Sequence, residues 1–452
     1  MGHFQKIGRE FARRGWLAET IDPEVFAECR AYVAGLPGVV PYDLLCPSIV
    51  RTSPAQAAAV EAEIVDGEDD EATPVPVIPP PSPLQGSEDL AAAYGFHRFG
   101  PILSAFAHWV WQLSFVQGQP IVGVMRDGGV LASALRAVRP GSPVGEVWLG
   151  RRLCLTGAIR SADDREGLVN LLIRARGQPA SVAEAIEDLG LAGEALPREL
   201  NPTLILQAGS LQKFLDWVAE DRPRRALKAH CQSIRLSILN HLKEQRALDG
   251  GSLLLVDVGY AGSVQRALAS ILHIEGINHH LAGAYLLTTP GMLWMLRSGG
   301  GDAAGFLAHL GAPSWLAKPF VRSRELFESL CASPFGPLIG FESSGKPILG
   351  RAILPSWQTN EVCRLQREAL GFCGAGLPPL SRSEAQLAAM SLIDCPRPEE
   401  ASMIGRWVYD DPLAVGKPRG LLECIDGAAR PVLWPQGAIA AGHMSPHMVS
   451  DS

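Results

Sequence analysis

The stretch that decides the fold is "QPIVGVMRDGGVLASAL", residues 119–135. A short apolar run leads into the turn Arg126-Asp127-Gly128-Gly129, and an Ala- and Leu-rich segment follows it. The apolar run is too short for a helix and is bounded by turn residues, so it predicts a buried central strand. The segment after the turn predicts a helix. The stretch therefore predicts a strand–turn–helix unit whose turn carries a charge pair and two glycines.

A second stretch of the same kind is "LLLVDVGYAGSVQRAL", residues 253–268. Its apolar run ends in Asp257, and a glycine-rich turn and a helical pattern follow. The runs "GEVWLGRRL" and "HLAGAYLLTT" predict two further strands, with helical patterns between them. Strands that are apolar throughout and alternate with helices are typical of a parallel sheet covered on both faces. We therefore predict an α/β protein with an open, mostly parallel, Rossmann-like sheet.

Composition divides the chain into four regions. Residues 62–88 carry an acidic cluster and then a proline run, which predicts an acidic, Pro-rich linker. Two short helical patterns in residues 1–61 predict a small helical appendage. Residues 89–300 contain the strand and helix patterns of the α/β core, and residues 301–452 predict a mixed C-terminal region that packs on this core.

Charge and cysteine content limit the class of partner and the compartment. The formal net charge of −7 argues against nucleic acid or an anionic membrane as the main partner. The nine cysteines are scattered without a CxxC pair, which fits reduced thiols and predicts a cytoplasmic protein. The most apolar window is interrupted by His108 and Gln112, so we predict no transmembrane segment.

The two glycine-rich turns are the candidate ligand-binding elements. In open α/β sheets, ligands bind beyond the carboxyl ends of the strands, and free N–H groups at helix N-termini favour anions. Arg126 supplies a planar charge suited to a diphosphate, and Asp257 is predicted to face a sugar hydroxyl or a metal ion. A phosphate in the second turn would be held by its backbone amides and by a hydroxyl, from Gly259, Tyr260, Ala261, Gly262 and Ser263. Neither turn matches GxGxxG or GxxxxGK[ST], which disfavours nucleotide-dependent dehydrogenases and P-loop NTPases.

Residues outside the two turns complete the candidate site. Arg151 and Arg152 end the predicted strand "GEVWLGRRL", and Gln265 lies in the first turn of the helix after "GYAGS". Glu328 in "VRSRELFESL" is a candidate general base, although its spacing from Arg324 favours an ion pair on one helical face.

The pair of turns resembles the phosphoribosyltransferase fold. In that family one turn takes the pyrophosphate of phosphoribosyl pyrophosphate (PRPP), and a later acid–glycine loop takes the 5-phosphate and the ribose hydroxyls. The usual sugar-binding motif has two adjacent acids followed by a Thr-Gly-rich loop. Here Val258 replaces the second acid, and Tyr260 and Ala261 replace Thr.

A closer resemblance covers about residues 94–440. The segments "YGFHRFGPILSAFAHWVWQL", "VMRDGGVLASAL", "WLGRRLCLTGAI", "LLLVDVGYAGSVQRAL" and "WPQGAI" are similar to the domain fused to haloacid-dehalogenase-type phosphatases in bacterial polysaccharide gene clusters. The resemblance implies transfer of 5-phosphoribose from PRPP to a hydroxyl acceptor such as a glycan, with Mg²⁺ held at Asp257. Gly150 and Tyr260 stand where that family often has Ser and Trp.

The resemblance also implies roles for the candidate residues and a further partner. It makes Arg126, Asp127 and Asp257 catalytic, and the other turn residues with Arg151, Arg152 and Gln265 substrate-binding. The first 90 residues contain no apolar strand ending in an Asp-x-Asp motif, so removal of the phosphate would need a separate phosphatase.

Two alternatives remain open from the sequence. One is a haloacid-dehalogenase-like phosphohydrolase with Asp257 as nucleophile, although Gly259 stands where such enzymes need a second Asp. The other is a non-catalytic assembly or binding protein of a biosynthetic cluster.

Overall fold

A five-stranded parallel sheet forms the centre of the protein. The computed structural model describes residues 89–113, 119–172, 179–289, 291–309, 314–409, 419–423 and 432–444, so the regions 1–61 and 62–88 lie outside the described residues. The strands are β1 (Ile121–Met125), β2 (Val144–Trp148), β3 (Ser252–Tyr260), β4 (His280–Thr288) and β5 (Asp302–Ala308). They lie in the order β2-β1-β3-β4-β5, and every pair is parallel. The predicted open parallel α/β sheet is confirmed.

Helices cover the sheet, and two short hairpins accompany it. The helices are α1 (Leu90–Tyr94), α2 (Gly100–Gln112), α3 (Gly128–Val138), α4 (Arg151–Ala158), α5 (Arg165–Leu172), α6 (Val182–Asp188), α7 (Ala208–Val218), α8 (Asp221–Glu244), α9 (Ser263–Ile274), α10 (Met292–Arg297), α11 (Ser314–Arg322), α12 (Arg324–Cys331), α13 (Ser356–Gly374), α14 (Arg382–Asp394), α15 (Pro398–Gly405) and α16 (Pro435–Ala440). The hairpins are β6 (Leu338–Phe341) with β7 (Pro347–Leu349), and β8 (Val408–Tyr409) with β9 (Arg419–Gly420). Among the described residues, no helix combines the length and the apolar character that a bilayer crossing requires.

The strand order reverses between β1 and β3. Leu254 and Val256 on β3 belong to the hydrophobic core that includes α3. Leu253 and Leu255 belong to the core on the opposite face, which includes α9. The chain therefore leaves β1 through a helix on one face and leaves β3 through a helix on the other, in opposite directions along the sheet. This reversal is the topological switch point, where open α/β sheets form a crevice.

The strand predicted from "GEVWLGRRL" is shorter than predicted. β2 ends at Trp148, and Gly150 precedes α4, whose first residues are Arg151 and Arg152. The Gly150 carbonyl already accepts a helical hydrogen bond from the Cys154 N–H at 2.9 Å. The predicted strand-end position of the two arginines is therefore wrong. The helix forms because its apolar residues, among them Cys154 and Leu155, pack into the core beneath α8 and α9.

The helices after β5 pack over the same face of the sheet as α3. Trp407 and Trp434 are wholly buried in that core, together with residues of α2 and α13. The Trp434 indole N–H donates to the Ile393 carbonyl at 2.9 Å, and the Trp407 indole N–H donates to Glu361 at 2.7 Å. These buried contacts hold the C-terminal helices against the sheet and bring α12 to its carboxyl edge.

His241 on α8 joins the β6–β7 hairpin to the end of β2. The backbone N–H of Trp148 donates to Nε2 of His241 at 2.8 Å. Since Nε2 accepts, the proton of the neutral ring is on Nδ1, which donates to the Gly345 carbonyl at 2.9 Å. The ring of Phe341 packs on the imidazole with centroids 5.0 Å apart. The turn of the hairpin is therefore fixed to the carboxyl edge of the sheet.

We expect His241→Ala to destabilise the protein by about 2–4 kcal/mol at pH 8, because two buried backbone groups lose their partner. Burial lowers the pKa of His241, so its contribution is complete above the ordinary histidine pKa of about 6.5 and is lost as the pH falls. The difference in unfolding free energy between wild type and variant should therefore shrink in acid. Urea unfolding at pH 8 and at pH 5.5 measures it.

His273→Ala is the matched control, because His273 is exposed near the end of α9. We expect the control to unfold like the wild type at both pH values. A His241→Ala deficit that grows as the pH falls would contradict the neutral, bridging role of this ring.

Candidate active site

The turn after β1 and the end of β3 lie side by side at the switch point. The two strands pair in parallel up to Gly123 and Val256, so their carboxyl ends point to the same edge of the sheet. A Cβ placed on Gly128 would lie 2.6 Å from the Val256 carbonyl oxygen and 3.6 Å from the Asp257 Cα. The first residue of α3 therefore lies directly against β3, beside Asp257. The two turns singled out by the sequence meet in one place.

The two glycines of the first turn have different tasks. Gly128 is required by packing, because any side chain there would collide with the backbone of β3. A Cβ on Gly129 would lie 3.0 Å from the flexible thioether of Met125. The Gly129 N–H donates to the Arg126 carbonyl at 3.2 Å and so closes the turn. Packing therefore explains the glycine at position 128, whereas the contacts of Gly129 do not require a glycine.

Three carboxylates gather at this edge: those of Asp127, Asp257 and Glu328. Burial raises the pKa of Asp257 to about 8, and the carboxylate of Asp127 adds to the rise. Burial raises the pKa of Glu328 to about 8 as well, with Asp127 again contributing. The thiol of Cys331 is buried, and its pKa is raised by burial and then by all three carboxylates. The three acids therefore surround one side chain of α12.

Asp257 and Glu328 keep some contact with solvent although both are densely surrounded by protein. The side chain of Asp127 is 31% exposed and that of Arg126 is 17% exposed, with Nε of the arginine 3.9 Å from Oδ1 of the aspartate. Such a cluster of like charges, partly accessible and shifted toward neutrality, is typical of functional sites. The Asp127 carboxylate is therefore accessible from the solvent side.

Tyr260 connects the second turn to α12. Its hydroxyl donates to the Arg324 carbonyl at 2.9 Å, and the Arg324 guanidinium lies 5.9 Å from the centre of its ring. Arg324 pairs with Glu325 at 3.4 Å. Burial lowers the pKa of Arg324, but Glu325 and Glu328 outweigh burial and raise it above its usual value. The guanidinium is therefore a positive charge beside Glu325 and Glu328.

The loop from Gly259 to Ser263 is shaped by backbone geometry. Gly259, Tyr260 and Gly262 have φ values of +111°, +85° and +63°. A Cβ on Gly259 would lie 2.2 Å from the Leu287 carbonyl oxygen, so only glycine fits beside β4. Gly262 precedes α9, and Ala261 and Ser263 are partly exposed. The first-turn amides of α9 therefore lie beside exposed backbone, as an anion-binding loop requires.

Gln265 has a buried position instead of a place at the surface of the loop. It has no exposed area, and its Nε2 donates to the carbonyls of Gly300 and Asp302, each at 2.8 Å. Its Oε1 accepts from the Tyr285 hydroxyl at 2.6 Å. The side chain therefore joins α9 to the amino end of β5 and lies away from the carboxyl edge.

The side chains of Arg151 and Arg152 have different neighbours. Arg152 pairs with the buried Asp188 at 3.2 Å. Burial lowers the pKa of Arg266 to about 10, with Glu166 opposing this change and the positive charge of Arg151 reinforcing it. Arg151 therefore lies near Arg266, a residue of the first turn of α9.

Tyr409 belongs to the site but carries no signal in the sequence. Its hydroxyl donates a hydrogen bond to Oε2 of Glu328. The two residues are brought together by the packing of β8 against α12, and no local pattern marks a tyrosine so far along the chain. The hydrogen bond gives the Glu328 carboxylate one fixed orientation.

The acids at this edge fit a divalent cation shared with a substrate. Among the described residues, no group of three or more His, Cys, Asp or Glu side chains could hold a metal ion alone. Mg²⁺ is usually held by one or two carboxylates, with substrate phosphates and water completing its shell. Asp127 and Asp257 supply two carboxylates, and a cation between them would relieve the repulsion that raises the pKa of Asp257.

The fold and this edge define a doubly wound α/β protein with clustered acidic side chains and the Arg126 turn at its switch point. The chain matches no protein-family model. It also gives no significant match among curated proteins.

Proposed function

We propose that this chain transfers the 5-phosphoribosyl group of PRPP to a hydroxyl acceptor, a glycan, with release of pyrophosphate. One observation carries the proposal: the turn with Arg126 and the loop after Asp257 meet at the switch point, with a Cβ on Gly128 only 3.6 Å from the Asp257 Cα. Helix N-termini approach this point from opposite faces of the sheet. A ligand with an anionic group at each end, such as PRPP, fits two anion sites arranged in this way.

The two ends of the donor would be held by different elements. Arg126 and the N-terminus of α3 bind the diphosphate through charge-assisted hydrogen bonds. The loop from Gly259 to Ser263 binds the 5-phosphate through the first-turn amides of α9 and a hydroxyl. Arg266, in the first turn of α9, and Arg151 near it add positive charge.

The chemistry requires charge stabilisation and one proton transfer. As the bond between C1 of the ribose and the pyrophosphate oxygen breaks, positive charge develops on the ring, and the Asp127 and Asp257 carboxylates stabilise it. The acceptor oxygen forms the new bond to C1 and passes its proton to Glu328, whose pKa of about 8 suits a general base near neutral pH. Asp127 and Asp257 would hold Mg²⁺, which would supply positive charge to the leaving diphosphate.

The hydrolase alternative has less support at this site. Gly259 occupies the place of the second Asp and is held there by its φ of +111°. The non-catalytic alternative predicts no binding of PRPP.

The test of the proposed function is binding and cleavage of PRPP. We expect the wild-type chain to bind PRPP with Mg²⁺ in a calorimetric titration and to release pyrophosphate only when an acceptor glycan is added. Arg126→Ala should weaken PRPP binding at least about tenfold, because a charge-assisted pair with a phosphate is lost. Phosphate release from simple esters would favour the hydrolase instead.

Arg136→Ala is the matched control. Arg136 lies on the same helix, α3, but pairs with Glu146 on β2. The control should bind PRPP like the wild type. If neither PRPP binding nor pyrophosphate release is detected in the wild type, or if both arginine variants bind equally, the proposed function is wrong.

A further inference from the structure

Exposed apolar side chains are concentrated on and around the β6–β7 hairpin. Phe335, Ile339, Ile348 and Ile353 are 50%, 49%, 40% and 46% exposed. We call these four residues the hairpin patch. They make up half of the large hydrophobic side chains that are exposed in the described part of the chain, yet all lie within residues 335–353. Exposed apolar residues scattered singly need no explanation, but a group in one place indicates a binding surface.

The hairpin patch belongs to a well-anchored element. The imidazole of His241 bonds to the Gly345 carbonyl in the turn of the hairpin and to the backbone N–H of Trp148. On the inner side, a Cβ on Gly150 would lie 3.6 Å from the side chain of Leu338. Leu338 is therefore packed against the start of α4, while Ile339 and Ile348 are exposed on an anchored hairpin.

The hairpin patch borders the candidate active site. The ring of Phe335 contacts the ring of Trp148 edge-on, with centroids 5.7 Å apart. Trp148 lies opposite Met125 in the β1–β2 register, and Met125 directly precedes the Arg126 turn. Neighbouring strands are only about 4.8 Å apart. Phe335 also follows α12, the helix that carries Glu328.

Basic side chains flank the second strand of the hairpin. Lys346 directly precedes β7 and pairs with Glu342 at 3.8 Å, and Arg351 follows β7 after one residue; both basic residues are exposed. An apolar surface with basic residues at its border complements a molecule that joins an apolar chain to an anionic group.

We propose that the hairpin patch binds the apolar chain of a lipid-linked glycan, so that the acceptor of the transferase is a sugar carried on a lipid. This inference rests on the proposed function. An acceptor whose hydroxyl reaches Glu328 can extend past Trp148 onto the hairpin, because these elements follow one another along the carboxyl edge. Its lipid chain covers the hairpin patch, and its phosphate lies near Lys346 and Arg351.

The test uses alkyl glucosides, which join a sugar to an apolar chain of chosen length. Binding of butyl, hexyl and octyl β-glucoside to the full chain is measured by calorimetry below their micelle-forming concentrations, without PRPP. We expect the affinity to rise by up to about fourfold for each methylene that is buried. The double variant Ile339→Ser/Ile348→Ser should lose this dependence on chain length.

Ile205→Ser/Leu377→Ser is the matched control, because these side chains are 44% and 43% exposed and lie outside residues 335–353. It should retain the wild-type dependence on chain length. The inference is overturned if affinity is independent of chain length, or if both double variants behave alike. It is also overturned if light scattering shows a wild-type dimer that Ile339→Ser/Ile348→Ser converts to a monomer, since the patch would then be a self-interface.

The result of the alkyl glucoside test can be distinguished from the result of the PRPP test of the proposed function. If the chain binds alkyl glucosides but not PRPP, the hairpin patch is still a binding site for amphiphiles, but the proposed transferase activity is wrong. If the chain binds PRPP and releases pyrophosphate only with an acceptor, but its affinity for alkyl glucosides does not depend on chain length, the transferase activity is supported. The inference of a lipid-linked acceptor is then wrong.

Discussion

The Asp257→Asn variant is expected to be more stable than the wild type above pH 8 and nearly inactive as a transferase. Burial and the Asp127 carboxylate raise the pKa of Asp257 to about 8, so ionising it in the folded state costs free energy. The wild type should therefore lose stability as the pH rises from about 4 to about 8, because the unfolded chain releases this proton earlier. Asparagine has no charge to bury.

We expect a gain of about 1–3 kcal/mol in unfolding free energy at pH 9 and no gain at pH 4. The amide oxygen can still accept the 2.8 Å bond from the Val258 N–H, so the local fold is retained. Pyrophosphate release should fall about 10²-fold, because a charge that stabilises the developing cation is lost. Urea unfolding at both pH values and a pyrophosphate assay measure the two effects.

Asp216→Asn is the matched control for this variant. Asp216 is an exposed residue on α7 that pairs with Arg165 at 2.8 Å. Hydrogen bonds from Gln212 and Arg165 lower its pKa, so its removal should slightly reduce stability and leave activity unchanged. If Asp257→Asn is less stable than the wild type at every pH, ionisation of Asp257 in the folded protein does not cost free energy, and this prediction is wrong.

Gly128→Ala is expected to damage both the fold and the site. The new Cβ would lie 2.6 Å from the Val256 carbonyl oxygen, a backbone atom that cannot move without shifting β3. We expect a loss of about 2–4 kcal/mol in unfolding free energy, together with at least tenfold weaker PRPP binding as the two turns are forced apart. Thermal unfolding and calorimetric titration with PRPP measure the two effects.

Gly129→Ala, at the next position, is the matched control. Its Cβ would meet the flexible Met125 thioether at 3.0 Å, and alanine in a helix is favoured over glycine by up to about 1 kcal/mol. We expect it to be as stable as the wild type or slightly more stable. Equal damage from both substitutions would mean that the contact between α3 and β3 does not hold the turns together.

The sequence predicted secondary structure best where the hydrophobic pattern of a single segment is enough to decide it. The apolar runs at residues 121–125 and 252–260 predict strands because strands buried on both faces need continuous apolar residues. The strand at Asp302–Ala308 was missed, since "DAAGFLA" has small residues and little β-branching. It forms because β4 offers backbone hydrogen bonds along one side, and helices cover it.

Side-chain roles were less accessible from the sequence. Gln265 lies one turn into a helix, as predicted, yet it bonds to Gly300 and Asp302, which no local pattern links to it. Arg324 was expected to pair with Glu328 but pairs with Glu325, while Tyr409 bonds to Glu328. In each case the partner comes from the packing of another element.

The sequence by itself determined the parallel α/β class and the two strand–turn–helix units, because hydrophobic periodicity and glycine turns act over a few residues. Only the tertiary structure decided that β1 and β3 are neighbours, since strand order depends on which faces the connecting helices cover. The same packing brought Glu328, Tyr409 and the β6–β7 hairpin to the edge where those turns meet. These residues are far apart in the chain, and only the burial of two cores on opposite faces of one sheet brings them together.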